Sequence, residues 1–385
     1  MSGMNDFSPD DLYLHQQITG LHCAPGIDAA AAGVRSIDRG QDQYISCIWV
    51  FPLAGNAPRQ LTRGPGRDKM PQWSPDGKQI AFISDRAGTP QLYAIPCDGG
   101  EARQVGEFEL GVTQLRWAKD GRSLWATVAL RVDPELRGKR GEPPAQAHPA
   151  APEVCWRLPY KSDGVGYLLR REIHLFNIDL ASGEARQITD GAFDVQAFQP
   201  SANGKHIAYS RTREGRYAHC TDLWVCDSDG SRHRRLSQQH AMVMAPIWSP
   251  DSRWLAFSGA IEEGDGQTGL WLLEFATGRT TPLGPAGLEV ADTENLHWSA
   301  DSRSLCSRVP TVAGTRSSRS RCRAENCARW WPVTGSSARS AAAANGLSIA
   351  WTPPVKRANC LPAASMAWAS DRSASSIRGG PNAHQ

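Results

Sequence analysis

One construction for hydrolysing a peptide bond with serine puts the nucleophile on a strained strand-to-helix turn beside an oxyanion hole, a geometry that reads G-x-S-x-G in sequence. No window of the 385-residue chain fits. The nearest, Gly346-Leu347-Ser348-Ile349-Ala350, ends in alanine and belongs to a repeated turn described below. Gly264-Asp265-Gly266-Gln267-Thr268-Gly269 does match the dinucleotide pattern G-x-G-x-x-G. That pattern works only when a helix follows, so that amides and helix dipole meet the pyrophosphate. Here the strand-like Leu270-Trp271-Leu272-Leu273 follows and Glu262 and Glu263 precede, so a hairpin loop is predicted. His219, Cys220 and Cys226 offer nitrogen and sulfur donors, but structural zinc sites use closely spaced pairs and only one half of such a site is present. Cys322 and Cys327 lie in a segment without pattern. No catalytic residue, no cofactor and no metal site is expected.

The elements that would have to position any site come from one recurring stretch, Trp73-Ser74-Pro75-Asp76-Gly77-Lys78-Gln79-Ile80-Ala81-Phe82. It reads as a β-hairpin. Pro75 presets φ at the first corner, Asp76 bonds its own backbone and Gly77 accepts positive φ. Ile80 and Phe82 then share one face of the next strand. Copies centre on Trp117 to Gly121, Phe198 to Gly204, Trp248 to Ser252, Trp298 to Ser302 and, faintly, Asn345 to Trp351. Cys23-Ala24-Pro25-Gly26 is a degraded first turn of this kind. About twenty residues after each turn comes a second apolar strand, a glycine and a polar strand, as in Gln91 to Ile95 followed by Gly99-Gly100-Glu101-Ala102-Arg103-Gln104. Units of roughly 40–50 residues built from short strands have the period of a β-propeller blade. The expected fold is all-β, a β-propeller of about six to seven four-stranded blades with the last ones degenerate. The recurrent tryptophans are predicted to pack in the core and not to stack on nucleic acid bases.

Three segments follow from the pattern: 1–45, an N-terminal stretch with a degraded first blade; 46–305, the propeller repeats; and 306–385, a basic tail. The one doubled step holds an insertion at 131–166, where Pro134, Pro143, Pro144, Pro149, Pro152 and Pro159 forbid a single regular element. It is expected to leave the third blade. The loops leading into the innermost strands carry Asp68, Asp194 and Asp292. Two readings stand for these acids: channel-mouth groups that meet an amine-bearing peptide, or caps of their own turns. At the turn itself, Ser252 and Ser302 occupy the glycine position, so Ser252→Gly is expected to relieve strain.

The turn motif, the Gly-Gly-Glu-Ala-Arg-Gln segment and Ser84-Asp85-Arg86 resemble the WD40-like repeats of TolB and of the prolyl oligopeptidase family. Phe7-Ser8-Pro9-Asp10-Asp11-Leu12, Arg59-Gln60-Leu61-Thr62 and Asp163-Gly164-Val165-Gly166-Tyr167 resemble the acylaminoacyl-peptidase branch. The resemblance covers residues 7 to about 305. It implies a non-catalytic propeller that gates a hydrolase domain absent from this chain, with peptides or that hydrolase as partner. A stand-alone TolB-like interaction propeller and an inactive remnant are the alternatives.

Charge is informative only when split. From Cys306 onward there are 11 Lys or Arg against 2 acidic residues, leaving 31 against 37 before it, so the overall +3 averages a body of −6 with a tail of +9. The bulk value therefore says nothing about nucleic acid, and no nucleic acid partner is expected. The tail has 13 Ser and 16 Ala with no Phe or Tyr, a composition that cannot offset its ordering entropy. Its onset inside a repeat, after Leu305, fits a shifted reading frame better than a functional basic arm. No signal sequence or membrane span is visible, which predicts a cytoplasmic protein with no membrane partner and reduced cysteines.

Overall fold

The structure is a computed structural model that describes residues 8–53, 57–64, 66–132, 158–163, 165–264, 266–283, 290 and 296–305, with the backbone of 306–307 and 326–329. Within these, antiparallel sheets follow one another along the chain. The first comprises β1 (Gln17–Cys23), β2 (Ala29–Asp38), β3 (Gln43–Pro52) and β4 (Arg59–Gln60). The second comprises β5 (Asp68–Trp73), β6 (Gln79–Ser84), β7 (Gln91–Pro96) and β8 (Arg103–Gln104). In the third, β9 (Val112–Trp117) and β10 (Ser123–Arg131) are parted from β13 (Arg171–Asp179) and β14 (Ala185–Gln187) by the insertion. The described part of the insertion is a small hairpin of β11 (Lys161–Ser162) and β12 (Gly166–Tyr167).

The fourth sheet is β15 (Val195–Pro200), β16 (His206–Thr212), β17 (Thr221–Asp227) and β18 (Arg234–Arg235). The fifth uses two short pieces, β19 (Met242–Val243) and β20 (Ile247–Trp248), as its first strand, then β21 (Trp254–Ala260), β22 (Gly269–Glu274) and β23 (Thr280–Leu283). The sixth is β24 (His297–Trp298), β25 (Ser304–Ser307) and β26 (Asn326–Arg329). Each sheet is a meander, and the first strands touch in succession: β1 against β5, β5 against β9, β9 against β15, and β15 against β20. This is the all-β propeller that the repeat predicts. The boundary drawn at residue 45 falls inside β3, because a four-stranded sheet begins already at Gln17. Asn345 to Trp351 lies outside the described residues, as does most of the 306–385 tail. No helix among the described residues is long and apolar enough to cross a membrane.

The core is divided between consecutive sheets. In β6, Ile80 and Phe82 join Ala31, Ile48 and Val50 of the first sheet, while Ala81 and Ile83 join Leu115, Leu124 and Ala126 of the third. In β21, Leu255 and Phe257 face the fourth sheet and Ala256 faces the sixth. Because successive strand residues point to opposite faces, a central strand here must be apolar on both. That is why these strands read as continuous apolar runs.

The turn is built as its sequence suggests. Gly77 holds φ 71°, Ser74 Oγ donates to Asp76 Oδ1 at 2.6 Å, and Lys78 N and Gln79 N donate to Asp76 Oδ1 and Ser74 Oγ. Ser201 with Asn203, Ser249 with Asp251 and Ser299 with Asp301 repeat the arrangement. The hydrogen-bond pattern makes Ser201 the counterpart of Ser74, as the alignment of Gly204 with Gly77 implies, so Pro200 occupies the tryptophan position of that copy.

Candidate functional site

Three of the recurrent tryptophans and three outer-strand arginines reach across to a neighbouring sheet. Trp117 Nε1 donates to Gln72 O at 2.8 Å, Trp248 Nε1 to Gln199 O at 3.2 Å, and Trp298 Nε1 to Ile247 O at 3.4 Å. All three acceptors sit one residue before the tryptophan position of the preceding sheet. The arginine of the outermost strand makes a second clasp: Arg59 bonds Cys97 O, Arg103 bonds Leu180 O and Arg186 bonds Asp229 O. In the Arg59-Gln60-Leu61-Thr62 segment, Thr62 Oγ1 accepts Ile48 N at 2.8 Å, and Thr189 and Ser237 repeat that bond to Leu175 and Leu223. The sequence motif is thus a set of fasteners between strands and between blades.

Among the three candidate channel-mouth acids, Asp68 is the first residue of β5 and only 2% exposed. Both its oxygens accept from Arg86 Nη2 at 2.9 Å, and Ser46 Oγ donates to its carbonyl. Arg86 also lies over the rings of Phe82 and Tyr93 and donates to Ser84 Oγ. Asp85 accepts from Arg67 through backbone and side chain, both at 2.6 Å, so every polar residue of Ser84-Asp85-Arg86 is bonded. Asp194 is half-buried and takes Ile173 N of the third sheet on Oδ1 at 2.9 Å, while its own N–H donates to Thr212 Oγ1. Asp292 lies outside the described residues. A related pair that sequence reading missed is Arg213 with Asp222, at 3.0 and 3.1 Å, where Arg213 matches Arg86 in strand register. Arg211 beside it is held 3.9 Å from both the Phe193 and Trp224 ring centres.

The residues considered as metal ligands separate. Cys226 is buried in β17 opposite Ile207, where burial first and then Asp227 push its thiol up to about 12. His219 and Cys220 instead sit together in the loop between β16 and β17, and the fold brings Glu263 to them from the loop between β21 and β22. Gly264 and Gly266 to Thr268 lie in that second hairpin loop, and Gly269 opens strand β22 where the dinucleotide pattern needs a helix.

Residues 33–131 match the family model PD40, the TolB beta propeller domain. An uncharacterized peptidase, YuxL, of Bacillus subtilis (strain 168) is 31% identical over 204 residues, covering 52% of this chain and 30% of the relative. The Tol-Pal system protein TolB of Bordetella pertussis is 44% identical over 59 residues, 15% of this chain and 14% of that protein. In fold, the chain is similar to Pyrococcus horikoshii acylaminoacyl peptidase, with a TM-score of 0.57 at 15% identity over 77% of this chain and 43% of that one. The chain thus spans less than a third of the length of the peptidase relative and under half of the solved peptidase.

Proposed function

We propose that this chain, which carries a TolB-type β-propeller related to peptidase propellers, is the non-catalytic, substrate-selecting part of a serine peptidase of the prolyl oligopeptidase group. The observation that carries the reading is the 31% identity to a peptidase over 204 residues, most of a propeller's worth of chain. The chemistry of the chain supports it: a propeller whose polar repeat residues are spent on fastening its blades offers a rigid wall, and the sequence holds no G-x-S-x-G elbow of its own. A wall around a narrow channel admits short peptides and excludes folded chains. Asp68 and Asp194 serve this role by fixing the inner strands. Cytoplasmic location and a hydrolase domain as partner belong to the same reading.

A stand-alone interaction propeller is the second reading, favoured by the 44% identity to TolB over 59 residues. Reading the DNA around and beyond codon 305 in all frames separates the two. An in-frame G-x-S-x-G within the next ~250 codons, the upper range of an ordinary domain, is the expected result. A continuous stretch of that length without one, in every frame, overturns the peptidase reading.

A further inference from the structure

His219 and Cys220 follow a short 3-10 turn, Gly215–Tyr217, that links β16 to β17 in the fourth sheet. Cys220 N donates to Tyr217 O at 2.8 Å and Arg213 N to Cys220 O at 2.8 Å, so both ends of the loop are tied down. A backbone chain then joins this sheet to the fifth: Thr221 N donates to Ala241 O and Ala241 N to Ala260 O, each at 2.9 Å. That chain lays the loop after β21 alongside the loop before β17. The imidazole of His219, the sulfur of Cys220 and the carboxylate of Glu263 consequently lie within 4.8 Å of one another, with His219 Nε2 3.4 Å from Glu263 Oε2.

Tetrahedral zinc holds nitrogen and oxygen at about 2.0–2.2 Å and sulfur at about 2.3 Å, so its ligand atoms stand roughly 3.4–3.7 Å apart. The His219 to Glu263 separation already has that value, and the sulfur closes the remainder by a small side-chain rotation. We propose that His219, Cys220 and Glu263 form a three-ligand site for a zinc-class divalent cation bridging the fourth and fifth blades, with water completing the tetrahedron. The donor set selects the metal class: a thiolate and an imidazole favour zinc over the oxygen-seeking calcium and magnesium. Binding forms three bonds to the metal and releases the Cys220 proton to solvent. The nearby Arg213 does not oppose the cation with a free charge, because Asp222 neutralises it at 3.0 Å. A nucleophilic role is disfavoured, since burial and then Glu263 hold the Cys220 thiol above its usual range instead of activating it.

Titration of the full chain with Co2+ tests the site, because a cysteine thiolate bound to Co2+ gives a charge-transfer band in the near ultraviolet. One equivalent should produce the band, and Zn2+ should abolish it. C220S should lose the band with a circular dichroism spectrum unchanged from wild type. Since loss of an outer-shell partner alone costs about 10–100-fold in metal affinity, H219A and E263Q should each weaken binding by at least about tenfold. Absence of a one-equivalent band in the wild type, or its survival in C220S through another of the ten cysteines, overturns the proposal. If C220S does not fold, unchanged affinity in both H219A and E263Q overturns it equally.

Discussion

Ser252 and Ser302 both hold φ at 59°, in the left-handed region where Gly77, Gly121 and Gly204 stand in other copies of the turn. An L-residue there costs roughly 1–2 kcal/mol, from which the sequence leads one to expect that glycine would be better. The structure bears out the left-handed conformation and adds a term that opposes the gain. Ser252 Oγ accepts the N–H of Asn203 in the fourth sheet at 3.0 Å, and Ser302 Oγ accepts that of Asp251 in the fifth at 3.0 Å. Replacing Ser252 by glycine relieves the strain but enlarges unfolded-state freedom and removes the bond to the exposed Asn203, a bond of a kind that contributes about 0.5–1.5 kcal/mol. Ser252→Gly should therefore be close to neutral, within about 0.5 kcal/mol, in urea denaturation, whereas Ser252→Ala, which keeps the strain and loses the bond, should destabilise by about 1 kcal/mol. A stabilised Ser252→Gly would show that the inter-blade bond contributes nothing. His22 makes a comparable contact between the first and second sheets, where its Nδ1 accepts Trp73 N at 3.1 Å, as Gln199 Oε1 accepts Trp248 N between the fourth and fifth. Burial first, then Arg116, lowers its pKa from 6.5 to about 4. The folded state thus resists the protonation that the unfolded chain accepts. The stabilisation is complete above pH 6.5 and is lost as pH falls from 6.5 towards 4. For this half-buried ring the loss amounts to about 2–3 kcal/mol at 1.36 kcal/mol per unit. His22→Gln, which copies the bond of the fourth sheet, should flatten the stability curve over that window. Parallel curves for the two proteins would rule out His22 as the source.

At the scale of strands and sheets, the turn was legible because Ser-Pro-Asp-Gly dictates a local hydrogen-bond pattern that needs no partner from elsewhere. Inter-blade partners were not legible, since nothing in sequence spacing reveals that the outer-strand arginines cross to the next blade's turn. The same limit hid Glu263 from Cys220, 43 residues before it, and from His219. The channel-mouth acids illustrate the consequence. Asp68 and Arg86 form an ion pair whose carboxylate is 3% exposed and whose guanidinium is 28% exposed. Removing one member of a buried pair costs about 3–5 kcal/mol, and partial exposure of Arg86 reduces this to about 2–3 kcal/mol for Asp68→Ala. The double variant Asp68→Ala/Arg86→Met, which leaves no unpaired charge, should recover more than half of that loss. Denaturation midpoints of the four proteins of the cycle measure it. A normal stability for Asp68→Ala combined with altered peptide affinity would instead identify Asp68 as a channel-mouth ligand group.

For the whole molecule, the missing nucleophile elbow predicts that the chain cleaves neither acylaminoacyl nor prolyl chromogenic peptides and that a fluorophosphonate probe labels no serine. Stoichiometric labelling of one serine, lost on denaturation, would reveal an active site of another construction. The blades also differ in how well their inner strands are covered. In β5, Asp68, Pro71 and Trp73 are buried, whereas β1 leaves Ile18 44% and Leu21 52% exposed. The neighbouring tryptophan reports the same asymmetry, for Trp73 Nε1 is buried without a partner among the described residues while Trp117, Trp248 and Trp298 each donate across a blade interface. The first sheet is therefore packed against the second on one face and open on the other among the described residues. In a closed propeller the corresponding face would lie against the last blade, and its apolar side chains would be core. Exposed positions change stability by about 0.5 kcal/mol or less, and core Leu or Ile to Ala changes cost about 2–5 kcal/mol. Leu21→Ser should accordingly fall in the first class, and Ile207→Ala, fully buried between the third and fourth sheets, in the second. Thermal melts of the two variants at several protein concentrations make the comparison. A loss of about 2 kcal/mol or more for Leu21→Ser would mean that β1 is covered. If that loss shrank with dilution, the cover would be a second copy, and if it did not, the ring would be closed by the chain itself.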